Sequence, residues 1–348
     1  MWKESFKNKH INNFAIRVIN LTIPFAAKRR ELRNILKGFL LEALKDKLSA
    51  QYPNYFQFAM FQPWGDFYIP CVLFKEFKKQ NNNVKILAVC VNDNQEEILR
   101  SFDSIDEVIK IPQEDYGSLF SITVSQNYVQ TLKKGRLYCL SHWLFSEAEK
   151  NKSMNFFELY TKMLKLHYPS NVDISKLYNI KNAKYSNTVL LYPEANSFNS
   201  EELTKDFWLS LANQISAMGF DIIFNTKNKK YSNYKTIFLP MKEQIEMAKC
   251  CKYVIGVRSG FSDILALNEV KNHIVVYPKS MYFKTVTKEQ QEKEFKRAFV
   301  MEQGKTFEEN MYRLTSLKMF NDHAKEIFYC TVQQLNSEII KYITEGKE

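Results

Sequence analysis

Apolar runs and helical-period segments alternate along most of this chain. YFQFAMF (55–61), VKILAVCV (84–91), EVIKI (107–111) and RLYCL (136–140) read as strands, while FYIPCVLFKEFKKQ (67–80), Gln95–Ser101 and NFFELYTKMLKLH (155–167) carry helical spacing. The second half repeats the pattern. TVLLYPEA (188–195), FDIIFNT (220–226), TIFLP (236–240), YVIGV (253–257) and HIVVYP (273–278) are the strands, separated by helices over 201–218, 241–251 and 261–267. Strands that are apolar throughout, with a helix between each pair, specify parallel sheets covered on both faces. The chain is therefore predicted to be α/β, with two Rossmann-like, doubly wound domains facing each other.

Residues 168–187 lack periodicity, which places a linker at 171–187 between domains at 51–170 and 188–305. Residues 306–348 read as a mostly helical, charged segment that packs back across the domains. Residues 1–50 read as a basic, helical N-terminal extension. Within it, KRRELRNILKGFLLEALKDKL (28–48) has apolar residues at Leu32, Ile35, Leu36, Phe39, Ala43 and Leu44. Such a helix either packs on its own domain or lies on an anionic bilayer surface. Arg17, Lys28, Arg29 and Arg30 beside Phe14, Ile19, Leu21 and Phe25 keep the second option open. No segment reads as a signal peptide or a membrane span, since 14–27 is short and interrupted by Arg17, Asn20 and Pro24.

Charge narrows the partners. Lys and Arg number 49 against 38 Asp and Glu, a net +11 that favours polyanions: nucleic acid, an anionic membrane face or phosphorylated substrates. Lysines are spread along the chain and no nucleic-acid-binding motif occurs, so nucleic acid ranks last. The six cysteines lack CxxC spacing and mostly sit in apolar runs, as in a reduced, cytoplasmic protein. The five histidines form no zinc signature.

In open α/β sheets, ligands bind beyond the carboxyl ends of the strands, and three turns there carry candidate chemistry. In YVIGVRSGFSDILAL (253–267), Ser259 is a natural N-cap, and the N–H groups of Ser259, Gly260 and Phe261 open a helix whose dipole favours an anion. Arg258 adds a fork of donors suited to phosphate oxygens, and Gly256 and Gly260 allow close backbone approach. An ordinary capped turn, with Arg258 bound to a structural carboxylate, is the alternative. In FQPWGDFYIP (61–70), Gly65-Asp66 follows the first strand. The Asp66 carboxylate either accepts a proton from a substrate hydroxyl or caps the helix. In PEANSFNS (193–200), Asn196 and Ser197 are turn residues that also suit phosphate or sugar hydroxyls, and Glu194 suits a sugar hydroxyl. Lys242 and Glu243 lie in the turn at Leu239–Glu243, placed to frame a nucleotide base by backbone contacts. No P-loop, GxGxxG or DxD occurs, so no metal or other cofactor is expected.

Together these three turns resemble the heptosyltransferase family of bacterial lipopolysaccharide synthesis, glycosyltransferases of the GT-B type. WGDFYIPCVLFKEFKKQNNNVKIL is similar to that family's first Gly-Asp turn, helix, basic linker and strand. TVLLYPEANSFNSEELTKDFWLSLANQI and VIGVRSGFSDILALNEVKNHIVVYP are similar to the opening and closing units of its second domain. The resemblance spans roughly residues 54–280. It implies Asp66 as catalytic base near the acceptor and Ser259–Gly260 as the diphosphate-binding turn. Arg258 stands where the family usually has an aspartate, Asp263 stands near its histidine, and the basic residue expected after the 188–195 strand is missing.

The implied function is metal-independent, inverting transfer of a hexosyl or heptosyl unit from a nucleoside-diphosphate sugar to a cell-surface glycan or lipid-linked acceptor. Asp66 would act as base, with Arg258 stabilising the departing diphosphate. The implied location is cytoplasmic, peripheral at the inner face of the membrane. The rivals are a GT-B-like epimerase or sugar-modifying enzyme, and a basic nucleic-acid-binding or non-catalytic scaffold protein.

Overall fold

The computed structural model describes residues 5, 7–60, 64–112, 137–139, 154, 156–166, 183–195, 198–199, 203–268, 270–277, 282–283, 287, 289–290, 292–293, 296, 303–307, 309–310, 324–328 and 331–346. The chain divides into two compact units, Met1–Asn151 with Leu159–Val172, and Lys152–Glu158 with Asp173–Glu348.

The first unit begins with a pair of contacting helices, α1 (Lys9–Thr22) and α2 (Ala26–Gln51). There follow β1 (Tyr55–Ala59), α3 (Trp64–Gln80), β2 (Lys85–Cys90), α4 (Asp93–Arg100), β3 (Glu107–Lys110), β4 (Leu137–Cys139) and α5 (Phe156–Met163), which belongs to this unit from Leu159 on. Its sheet is parallel, in the order β3-β2-β1-β4. Leu40, Leu41, Leu44 and Leu48 of α2 bury against Ala59, Leu87, Val89, Ile111 and Leu137. Residues 28–48 thus cover their own sheet, which excludes the bilayer for the α2 core face and makes α2 a layer of this unit. The sequence starts the helix after β1 at Phe67. It begins at Trp64 instead, which puts Gly65 and Asp66 in its first turn and Pro70 inside it. A proline in the second turn costs one backbone bond near an end where bonds are already missing.

The second unit contains β5 (Thr188–Tyr192), β6 (Phe198–Asn199), α6 (Lys205–Ala217), β7 (Asp221–Asn225), β8 (Lys235–Ile237), α7 (Met241–Cys250), β9 (Tyr253–Val257), α8 (Gly260–Leu267), β10 (His273–Tyr277), β11 (Tyr282–Phe283), β12 (Ala324–Phe328) and α9 (Val332–Glu345). Six strands form a parallel sheet in the order β12-β10-β9-β5-β7-β8. Trp208, Leu211 and Ile215 of α6 pack with Ile255 and Ile274 of the sheet and with Leu335, Ile339 and Ile343 of α9. The C-terminal helix therefore closes the core of its own unit. Its start is capped by Thr331, whose hydroxyl accepts from the Gln334 N–H.

The C-terminal region is not wholly helical. Residues 324–328 form an edge strand beside β10, with Ile327 its one buried residue. One apolar contact is too little to print a strand pattern on the sequence.

Both sheets reverse direction once. In the first the chain passes from β1 outward to β3 and returns to β4 on the other side. In the second β5, β7 and β8 run one way and β9, β10 and β12 the other. The switch points fall between β1 and β4, and between β5 and β9. Ligands of open parallel sheets collect beyond the carboxyl ends at such points. All three candidate turns leave a strand that borders one of them.

Candidate active site

The turn after β9 is the most completely built. The backbone N–H of its N-cap, Ser259, donates to Ser262 Oγ at 3.2 Å, and that hydroxyl donates to the Val257 carbonyl at 3.2 Å. Ser259 and Ser262 form a capping box, but the Ser259 side chain faces the Ser262 N–H too loosely for a full hydrogen bond, so its Oγ is buried without a close partner. Gly260 and Phe261 open α8, where helix geometry leaves N–H groups without an acceptor and the dipole is positive. A single buried turn thus offers an unspent hydroxyl and helix-start donors.

Arg258, 6% exposed, turns back into this structure. Nη1 donates to Asp263 Oδ2 at 3.1 Å and to the Ser259 carbonyl at 2.6 Å, and Nη2 donates to Asp263 Oδ1 at 2.6 Å. This is a bidentate fork on a carboxylate five residues away. Burial works against the Arg258 charge, but the Asp263 carboxylate outweighs it and holds the guanidinium above its ordinary pKa. Burial lifts Asp263 in turn, with Arg258 pulling the other way. The sequence aimed Arg258 at a phosphate. The structure commits its Nη atoms to shaping the turn, the structural-carboxylate arrangement weighed above, and Asp263 is the partner.

Gly256 has a steric role besides the phosphate approach expected of it. A Cβ there would lie 2.1 Å from Cδ2 of Tyr192, its neighbour across the β5–β9 ladder. The glycine makes room for that ring, which also packs edge-to-face on Phe261. The Tyr192 hydroxyl in turn contacts Nε2 of His273. Burial, with the Arg258 charge added, lowers the His273 pKa to about 3, so its imidazole is neutral. Beside Arg258, the Tyr277 hydroxyl donates to Glu326 Oε1 at 2.6 Å, and burial raises the phenol well above its ordinary pKa. Tyr192, His273, Tyr277 and Glu326 escaped the sequence reading because each needs a partner on another strand, and Glu326 lies on the unforeseen β12.

At the end of β5, Glu194 accepts from Thr226 Oγ1 at 2.8 Å and Asn228 Nδ2 at 3.1 Å, with Lys230 Nζ at 3.2 Å. Burial would raise its pKa, but those hydrogen bonds outweigh it and hold the carboxylate below its ordinary value. Thr226 and Asn228 were not foreseen, although NTKN after a strand is a turn signal. Asn196 and Ser197 lie outside the described residues. Lys242 and Glu243 are exposed in the first turn of α7. That turn is tied to β7 by Asn225 Nδ2 donating to Gln244 Oε1 at 2.7 Å, and Gln244 Nε2 donates to the Leu239 carbonyl.

The ribbon β6–β11 pairs the loop after β5 with the segment after β10. Since β9 lies between those strands, its turn is flanked by two loops that are bonded to each other.

In the first unit the backbone places Gly65 and Asp66 second and third in α3, just past the carboxyl end of β1. The aromatic cavity of this unit, about 520 Å³ and lined by Phe56, Phe58, Phe77 and Tyr138, lies instead toward the amino end of the sheet. Among the described residues no three His, Cys, Asp or Glu side chains are grouped to hold a metal ion.

Known structures share this architecture. E. coli heptosyltransferase WaaC, solved with ADP, superposes with a TM-score of 0.56 at 11% identity, covering 84% of this chain and 100% of that one. E. coli ADP-heptose lipopolysaccharide heptosyltransferase II gives 0.53 at 11% identity over the same shares. The glycosyl transferase family 9 protein from Veillonella parvula gives 0.52 at 12%, covering 83% and 95%. No family model and no curated protein matches the sequence. The likeness is one of fold, carried by parallel sheets and their helices, and on that ground the chain has a heptosyltransferase-like fold.

Proposed function

We propose that the protein is a glycosyltransferase that moves a sugar from a nucleoside diphosphate to a glycan or lipid-linked acceptor, with inversion and without a metal. The observation that carries this is the turn after β9, where an unpartnered, buried Ser259 hydroxyl and the α8 start meet at the switch point of a six-stranded parallel sheet. A departing diphosphate gains negative charge as the glycosidic bond breaks, and fixed donors aimed there stabilise the transition state. Arg258 serves in two ways. Its bonds to Asp263 and the Ser259 carbonyl hold the turn in place, and its charge acts on the diphosphate from beneath.

Glu194, held as a carboxylate by Thr226, Asn228 and Lys230, suits the hydroxyls of the donor sugar. Asn196 and Ser197 on the same loop, and Lys242 and Glu243 at the start of α7, complete the proposed donor contacts. In the first unit, Asp66 takes the acceptor hydroxyl's proton as the new bond forms. WaaC was solved with ADP, which makes ADP the first nucleotide to try.

The test is thermal unfolding with ADP, UDP, GDP, dTDP, CMP and a short oligonucleotide. A ligand at about 100 times its Kd adds about 2.7 kcal/mol of stability. One nucleoside diphosphate should raise the Tm and the oligonucleotide should not; the reverse pattern would replace this function with nucleic-acid binding. Given a donor and acceptor, Asp66→Asn should lower kcat by about 10²-fold or more, and near-normal turnover would remove Asp66 as the base.

A further inference from the structure

Four large apolar side chains on α1 point into solvent: Ile11 (45% exposed), Phe14 (69%), Val18 (39%) and Leu21 (87%). At 100° per residue they fall within one arc of about 80°. Phe25, 74% exposed, lies three residues past the end of the helix.

This face is outward by construction. The opposite side of α1 is fastened to α2 by Asn12, whose Nδ2 donates to the Leu36 carbonyl, and by Arg33, which donates to Asn20 Oδ1 at 3.2 Å. Rotating the stripe inward would break both of these bonds, so they hold the apolar arc in water.

Charge says what covers it. Residues 5–30 contain Lys7, Lys9, Arg17, Lys28, Arg29 and Arg30 and no Asp or Glu. Over residues 1–50, eleven Lys and Arg stand against four Asp and Glu, so this stretch supplies seven of the chain's net eleven positive charges. Arg17 is exposed and lies on the helix about 40° from Leu21. An apolar stripe with a cation at its edge, in a segment of net positive charge, is the pattern of a helix lying in the plane of an anionic bilayer interface, with its apolar side among the acyl chains and its basic groups at the headgroups. Among the described residues no helix is long and apolar enough to cross a membrane, so the contact is with one face only.

We infer that α1 and Phe25 dock the protein on an anionic phospholipid surface, lying flat on it. The stripe sits on the unit that carries Asp66, so docking would bring that unit to lipid-linked acceptors. Only this last consequence rests on the glycosyltransferase function; the lipid contact does not.

The test is co-sedimentation of the full-length protein with vesicles of phosphatidylcholine alone, or of phosphatidylcholine and phosphatidylglycerol in equal parts, without donor or acceptor. Binding should require phosphatidylglycerol and weaken with salt. The triple variant Phe14→Ser, Leu21→Ser, Phe25→Ser should lose at least about tenfold in partitioning, with its Tm unchanged because all three side chains are exposed in the wild type. Arg17→Glu should lose about fivefold or more. Equal partitioning of the triple variant and the wild type would overturn the inference. So would a wild type that ignores both vesicles, or one that dimerises in solution through a contact that the triple variant abolishes.

Discussion

The two units use the same parallel layout to different ends. At the second switch point, strand ends and loops are wired to one another through Arg258–Asp263, Glu194 with Thr226, Asn228 and Lys230, Tyr277–Glu326 and Asn225–Gln244. Among the described residues of the first unit no ion pair is as buried as Arg258–Asp263. Lys78 pairs with Asp106, which also accepts from the Ile86 N–H, and Lys110 pairs with Asp93 and Glu96. Four of its aromatic residues line a cavity toward the amino end of the sheet, and its apolar stripe faces water. Buried networks fix geometry, because each member left unpaired is costly. A polar end built this way suits a ligand whose charge must be met at fixed points. A unit with loosely held charges and an outward apolar face suits a partner met at a surface.

Breaking the network in the second unit should have the largest effect. Arg258→Ala leaves the Asp263 carboxylate buried without its cation and should cost about 3–5 kcal/mol in urea unfolding. A comparable substitution in the first unit, Lys110→Ala, should leave the unfolding midpoint almost where it is, because that pair is exposed. Gly256→Ala comes next. Its Cβ cannot coexist with the Tyr192 ring, and a loss of about 1–3 kcal/mol or more is expected. Reducing the ring as well, in Gly256→Ala with Tyr192→Leu, should recover part of it.

The neutral His273 adds a pH dependence. Its folded pKa, about 3, lies below the value near 6.5 of an unfolded histidine. The unfolded chain therefore binds the proton first, and stability contributed by the buried neutral ring is present above about pH 6.5. It falls by up to about 1.4 kcal/mol per unit as the pH drops from there toward 3. Chemical denaturation at several pH values should show this slope, and His273→Gln should flatten it. A small effect on stability is expected for Ser259→Ala. Its hydroxyl makes no full hydrogen bond to lose, so unfolding should move by under about 0.5 kcal/mol, while nucleotide affinity drops about tenfold.

How much of this was legible in the sequence depends on where each interaction's partner lies. Alternating runs gave every strand of both sheets except β12, because fully buried strands such as Thr188–Tyr192 and Tyr253–Val257 carry unbroken apolar stretches. β12 is an edge strand with one buried residue, and its Ala-Lys-Glu-Ile-Phe passes for a turn of charged helix. The three turns were found because strand-end position is itself a sequence property. The contacts inside them were not. The reason for Gly256 sits at Tyr192, 64 positions earlier, and the proximity of Tyr192 to His273 spans 81. Asp263, five residues from Arg258, was close enough to read as a partner, but only α8's rotation decides that the two side chains meet.

The central claim is that the turn after β9 holds a nucleoside diphosphate, and titration calorimetry of ADP and UDP into the wild type and Ser259→Ala tests it most directly. Saturable binding of one nucleotide, weakened about tenfold by Ser259→Ala at unchanged Tm, is the predicted result. Equal affinity in the two proteins, or no binding to either, would contradict it.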